Sequence, residues 1–280
     1  MLSNKILSVL LYVSVFHLST TDTALADIDE VYRLSVGTNI SNYNSDITLN
    51  SSSGSFDKTI SFEDDLGMTN QVNSSWISAR YRVGDLHHIR FTYIPISRTS
   101  LTQSVNDIII DDTTIKAGAS ISTKTKSDII DFSYIYNFHK TPQLEIGFSA
   151  GIYWLLNNTQ VLAAGEVQAE GDDEVVFKSD FSSEQKLQAP MPLIGLSVNY
   201  EIMPSWRTHA SFRYLDVLVN DISGRILSLE AGTEYYFNNN WGIGVSIATF
   251  ELDVEAIGII GSTALGWSHD GVQIYATFKY

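Results

Sequence analysis

Apolar and polar residues alternate one for one through ten separate stretches of the chain. In residues 271–280, Val272, Ile274, Ala276, Phe278 and Tyr280 fall on one side of an extended segment, and Gln273, Tyr275, Thr277 and Lys279 on the other. Successive side chains of a strand point to opposite faces, so the pattern predicts a strand with one apolar and one polar side. It recurs at 31–41, where Tyr32, Leu34, Val36, Thr38 and Ile40 oppose Arg33, Ser35, Gly37 and Asn39. It returns at 75–83, 88–93, 130–138, 144–154, 194–201, 206–214, 227–237 and 241–248. No long amphipathic helix, coiled-coil heptad or low-complexity linker interrupts the series.

The connections differ in length. Those at 84–86, 139–143, 202–205 and 238–240 are short, and two of them carry a proline, Pro142 and Pro204. The stretches 42–73, 96–127, 157–188 and 251–270 read as long polar connections. Within the second, Thr114–Thr123 alternates again and is expected to be a strand rising beyond the main sheet. Tyr81, Tyr136, Phe138, Tyr200, Trp206, Tyr235, Phe237, Trp241, Phe278 and Tyr280 all lie on the apolar face beside a short turn or the C-terminus. A soluble sandwich has no reason to collect its outward aromatics at one end, whereas a membrane-interface girdle sits there.

Together these features resemble the small bacterial outer-membrane β-barrels of the OmpA, OmpX and OmpW type. That family pairs short periplasmic turns with long outer loops and closes on a strand ending in an aromatic, here Tyr280. The resemblance covers essentially all of residues 27–280. It implies an all-β, antiparallel, up-and-down transmembrane barrel of about ten strands. Eight or twelve stay open, depending on Thr114–Thr123 and on the segment near Phe62. It further implies outer-membrane lipid as surroundings and the barrel-assembly machinery as a partner, reached through the C-terminal strand.

The start of the chain fits export. Lys5 precedes an apolar run from Ile6 to Leu18, and Ala24-Leu25-Ala26 offers small residues for cleavage before Asp27, so residues 1–26 read as a signal peptide. The run falls short of the roughly 20 residues that a spanning helix needs. No cysteine occurs, which removes disulfides and thiolate metal sites. A formal charge of −15 argues against nucleic acid as a partner.

Placing the polar face in the lumen collects Arg33, Arg80, Arg82, Arg90, Arg207, Arg213 and Lys279 there with Asp131, Glu145, Glu201, Glu230 and Glu234. Unpaired charge in a narrow interior is prohibitive, so a paired charge network is expected. The inward glycines 147, 151, 195, 232, 242 and 244 either leave a thin water path or make room for arginine side chains. His209 and Ser211 share a face with Glu230 and Glu234 across the next turn, which raises a lipid hydrolase as a minor alternative. The string Phe62–Gly67 (FEDDLG) has carboxylates but not the spacing of a calcium loop, and reads as an acidic hairpin or a segment folded against the barrel mouth. The acids of 166–184 read as a solvated run. No catalytic, cofactor or metal residue is singled out. The leading function is a structural or surface-interaction role through long acidic outer loops. The alternatives are a narrow channel for small solutes and a lipid-modifying enzyme.

Overall fold

A computed structural model describes residues 28–51, 57–110, 113–169, 175–219, 222–257 and 261–280. The expected signal peptide, residues 1–26, and its cleavage boundary before Asp27 lie outside them. The described residues form no helix and thirteen strands: β1 Tyr32–Ser51, β2 Asp57–Ser61, β3 Gln71–Gly84, β4 His87–Gln103, β5 Ile108–Ile110, β6 Thr113–Ile115, β7 Ser120–Lys140, β8 Leu144–Ala169, β9 Val176–Met203, β10 Trp206–Val219, β11 Ile222–Tyr236, β12 Trp241–Ile257 and β13 Gly261–Lys279. Ten close into an antiparallel ring in the order β1, β3, β4, β7, β8, β9, β10, β11, β12, β13. β13 returns to β1 through an unbroken register from Arg33↔Lys279 to Ser51↔Gly261. The ten alternating stretches are the ten ring strands. The remaining three lie outside the ring: β2 pairs with β1, and β5 pairs with β6, which pairs with β8.

Three stretches expected to be long loops are mostly strand. The β8–β9 hairpin stays paired from Leu144↔Tyr200 up to Val167↔Val176, and β12–β13 up to Ile257↔Ser262. β4 and β7 pair out to Gln103↔Ser120. The alternating piece Thr114–Thr123 is not one strand: β6 ends at Ile115, and a turn through Gly118, at a φ of 92°, leads into β7. The wall therefore rises far above the alternating stretches.

The two faces exchange polarity along that height. In the lower part of β1, Leu34, Val36 and Ile40 are exposed on the outside while Ser35, Asn39 and Ser41 are buried inside. Above them the inward Tyr43 is buried and the outward Asn42 and Asn44 are exposed. In β12 the outward Val245 and Ile247 give way to inward Phe250 and Leu252, with Glu251 and Asp253 now outside. β13 does the same between Val272 and Trp267. Along β1, β12 and β13 the side-chain alternation does not slip; the apolar residues change sides. A lower wall that is oily outside and polar inside thus continues into an upper wall built like a water-soluble protein, polar outside and apolar inside. On β10 the outer apolar band runs from Trp206 to Tyr214, roughly 26 Å along the strand at about 3.3 Å per residue. The upper interior holds one apolar cluster of Tyr43, Ile129, Tyr153, Leu193, Phe250 and Trp267 among others. A second, with Ile60, Leu66, Ile115, Ile121 and Val161, lies against the inner side of β7 and β8.

The upper wall is split twice. β3 and β4 pair only from Gly84↔His87 to Ile77↔Tyr93, and β9 and β10 only from Trp206↔Met203 to Tyr214↔Ile194. Prolines stand at both places. The Glu201 N–H donates to the Gln143 carbonyl, so odd-numbered β9 residues bond toward β8 and even-numbered ones, Pro190 and Pro192 included, face β10. By the same parity, the Asn137 N–H donating to the Leu86 carbonyl turns Pro95 toward β3. A proline has no N–H to give the next strand, so each ladder stops where the prolines begin. Two leaves result, β4–β7–β8–β9 and β10–β11–β12–β13–β1–β3.

The exchange of faces makes a direct prediction. Ile274→Arg puts a charge in the outer apolar band and is expected to cost about 2–4 kcal/mol in a bilayer. Asn44→Arg, on the same outer face above the band, is expected to stay within about 0.5 kcal/mol of the parent. Urea unfolding in lipid vesicles, with heat-modifiable migration as a check on assembly, reads both.

Candidate functional site

The lumen of the lower barrel is organised on three carboxylates. Glu145, fully buried, accepts from Arg80 Nη2 at 3.1 Å and Arg82 Nη2 at 2.8 Å, with His88 Nε2 at 3.7 Å. Glu234 accepts from Arg33 Nη1 at 3.2 Å and from the hydroxyls of Tyr236 at 2.8 Å and Tyr275 at 3.0 Å. Asp131 is paired with Arg213, accepts from Ser133 Oγ at 2.5 Å, and has Arg90 Nη2 at 3.9 Å. Arg207, fully buried, donates to Glu30 at 2.7 Å and to Asn199 Oδ1 at 3.0 Å. Glu230 meets His209 at 3.6 Å, and Lys279 Nζ lies 4.7 Å over the Tyr236 ring. Glu201 is half-buried beside the 204–205 turn.

Several members of this network were not singled out from the sequence. Glu30 precedes the first strand, and Arg82 donates to its carbonyl and to that of Ile28, holding the entering chain in the short-turn end of the ring. His88, Asn137 and Asn199 complete the lower layer, with Arg80 Nε donating to His88 Nδ1 at 3.2 Å. Polar residues on an inward parity were the available signal. The inward glycines make room for long side chains: a Cβ on Gly195 would stand 2.7 Å from Arg213 Cγ, and one on Gly244 2.3 Å from the Tyr275 ring. His209 and Ser211 both line the lumen cavity, and the His209 ring lies 3.6 Å from Glu230 and 3.9 Å from Glu234.

Within the network lies a lumen cavity of about 130 Å³, lined by Trp76, Arg90, Asp131, His209, Arg213 and Glu230 among others. An apolar layer follows. The rings of Tyr153 and Phe250 stack at 4.6 Å, Phe250 meets Trp267 edge-on at 5.6 Å, and Trp267 stacks on Tyr43 at 6.1 Å. These rings come from β8, β12, β13 and β1 and reach into the lumen from opposite walls.

A strap, residues 62–70, lies between β1 and β4 beside the β3–β4 split, above that layer. Glu63 is turned inward, where it accepts from the Ser45 N–H and Ser45 Oγ, both at 2.8 Å, and is paired with Arg98. Arg98 also donates to the Thr69 carbonyl at 3.1 Å, and Ser100 Oγ to the Leu66 carbonyl at 2.6 Å. Leu66 and Met68 are buried. This is the folded-mouth form of the FEDDLG string. Asp65 accepts from the Ser61 N–H at 2.9 Å and Asp64 is exposed, so its carboxylates do not converge. Among the described residues no group of three His, Cys, Asp or Glu is placed to hold a metal ion.

On the outer face at the short-turn end stand Tyr81, Tyr136, Phe138, Tyr200, Trp206, Tyr235, Phe237, Trp241, Phe278 and Tyr280. Neighbours pair across strands, Trp206 with Tyr235 at 5.1 Å and Trp241 with Phe278 at 5.0 Å. Such a ring of outward aromatics below an apolar band on a closed ten-strand antiparallel barrel settles the fold. The chain has the fold of a bacterial outer-membrane β-barrel.

One solved structure agrees at that level. The outer membrane protease OmpT of Escherichia coli aligns over 92% of this chain and 100% of its own, with 11% identity and a TM-score of 0.57. The outer membrane protein OprG of Pseudomonas aeruginosa (10% identity, 92% and 99% coverage) and the attachment protein Ail of Yersinia pestis (8%, 90% and 100%) reach only 0.37 and 0.34. No protein-family model and no curated sequence matches the chain. In this fold the short turns face the periplasm and the long connections the exterior.

Two outcomes follow from the lumen and the strap. Glu145→Ala strands two buried guanidinium groups and is expected to cost about 3–5 kcal/mol in urea unfolding. Arg98→Ala removes the partner of Glu63 and is expected to raise amide exchange across 62–70 while leaving exchange of the β1–β13 ladder unchanged.

Proposed function

We propose that the protein resides in the bacterial outer membrane as a non-conducting barrel that presents its tall upper wall as an interaction surface. The observation that carries this reading is the apolar layer across the lumen. Ions cross a barrel through a hydrated path, and the Tyr153, Phe250 and Trp267 rings stand in it. The buried charges beneath are engaged with one another, and a ring of this size fills its interior with side chains. What the chain offers to the exterior is then its upper wall, whose outer face is polar and whose connecting stretches are acidic. The polar charges of the lumen do structural work in this reading. They replace an oily core where the oily face is turned outward.

Planar-bilayer recording tests it. The wild-type protein is expected to give no stable current, and Glu145→Ala none either, since the apolar layer lies above that residue. A steady ion-selective conductance from the wild type would replace this reading with the narrow channel.

A further inference from the structure

The lumen cavity is lined by more charge than its own close pairs absorb. Of the charged side chains on its wall, Arg33 is taken by Glu234 at 3.2 Å, Arg80 by Glu145 at 3.1 Å, and Arg213 by Asp131. Arg90 and Glu230 are left at longer range. Arg90 has Asp131 at 3.9 Å, a carboxylate already bonded to Arg213, and its Nε has no acceptor. The one ion pair that Glu230 makes among the described residues is with the His209 ring, at 3.6 Å. Both side chains line the lumen, yet Arg90 keeps 19% and Glu230 29% of its surface exposed. The space they are exposed to is the cavity.

The two stand on facing walls, since β4 and β11 are five strands apart in the ring of ten. On the β3–β4 side, Trp76 lines the same cavity, and its buried Nε1–H has no acceptor. On the other side, Glu230 lies in one lateral row with Ser211 and Ser197, through Ser211↔Glu230 and Ser211↔Ser197. The Ser197 hydroxyl has no partner. One wall thus holds unspent donors with a cation, and the other unspent acceptors with an anion. Buried polar groups left in that condition are costly, which makes a bound partner favourable.

Charge selects that partner. A bare anion would bring its charge against Glu230, and a bare cation against Arg90 and Arg213. Water fits the space but gives neither residue a counter-charge. A molecule carrying both charges matches both walls and leaves the net charge of the lumen unchanged. The cavity, about 130 Å³, has room for one such molecule of the size of glycine or alanine. We propose that the lumen cavity is a binding site for a small zwitterion, an α-amino acid with little or no side chain. Arg90 holds its carboxylate, for which a guanidinium is the matching fork, and Glu230 holds its ammonium with Ser211 and Ser197 beside it. The site goes beyond the surface-presentation reading and does not depend on it: a ligand held beneath the aromatic layer needs no conducting path.

The test uses the full barrel in lipid nanodiscs and radiolabelled glycine as the probe. Glycine is added to the folded protein or is present while the barrel folds, and retention is read after rapid gel filtration. Stoichiometric retention is expected by at least one of these routes. Acetate and methylammonium, which carry one charge each, are expected to compete about tenfold less well than unlabelled glycine. Arg90→Gln and Glu230→Gln each remove one charge and are each expected to weaken glycine about tenfold. They are also expected to shift preference in opposite senses, Glu230→Gln toward acetate and Arg90→Gln toward methylammonium. A purely structural role would not exchange those preferences. Heat-modifiable migration checks that the variants assemble, and the competition on the wild type decides the matter if they do not. No retention by either route would overturn the proposal and assign the cavity to water. Acetate or methylammonium competing as well as glycine would overturn it in favour of a site for a single charge. Undiminished retention by both variants would overturn it in favour of adventitious binding elsewhere. Conductance separates this site from the reading above: a conducting barrel that retains glycine removes only the surface-presentation reading, and a silent barrel that retains none removes only the site.

Discussion

Closure of the ring is the constraint on which the rest of the structure depends. The ladder between β1 and β13 joins the first ring strand to the last over nineteen residue pairs, Arg33↔Lys279 to Ser51↔Gly261. With it, no strand of the lower barrel has a free edge, and every backbone group there has a neighbour to bond. Inside a bilayer nothing else would satisfy those groups, and each one left open would cost several kcal/mol. Closure also fixes the interior. A ring of ten strands encloses a space narrow enough for side chains from opposite walls to meet, so inward residues have to be chosen as partners.

The charge network and the apolar layer are two solutions to that one geometry. Where the outer face is oily, the inner face is built from polar residues, and buried charges there survive only with partners close by. Glu145, between Arg80 and Arg82, and Glu234, beneath Arg33 and two tyrosine hydroxyls, are satisfied in this way. Higher up, where the outer face turns to Asn44, Glu251, Asp253 and Asp270, the inner face no longer has to be polar. Burying Tyr43, Phe250, Leu252 and Trp267 against one another then recovers the ordinary hydrophobic gain of a soluble core. The apolar layer in the upper lumen follows from the height of the wall above its oily band.

The splits have a different origin. Three prolines, Pro95, Pro190 and Pro192, stop the lateral ladder on one flank of β4 and of β9 while leaving the other flank paired. The upper wall thereby opens into two leaves without disturbing the closed ring below. At one split the chain lays its own strap, held by Arg98 against Glu63. At the other, no strand among the described residues pairs with the flank of β9 beyond Ile194.

The sequence by itself determined the ring strands, because each crosses with a strict period of two and a residue's side is decided by its neighbours in the chain. The four short turns and the outward aromatics beside them were legible for the same local reason. The exchange of faces was written there too, in the shift of apolar residues from even to odd positions between Ile40 and Tyr43. It reads as a loop unless the strand is known to continue. Only the tertiary structure decided which charges meet, since Arg207 and Glu30 are 177 residues apart and Arg80 and Glu145 are 65 apart. Such pairings depend on strand order, tilt and which walls face each other across the lumen, and alternation along one strand contains none of these. The same holds for the strap and the flank of β9: prolines mark where a ladder ends, but whether another segment lies beside it is settled by closure in three dimensions.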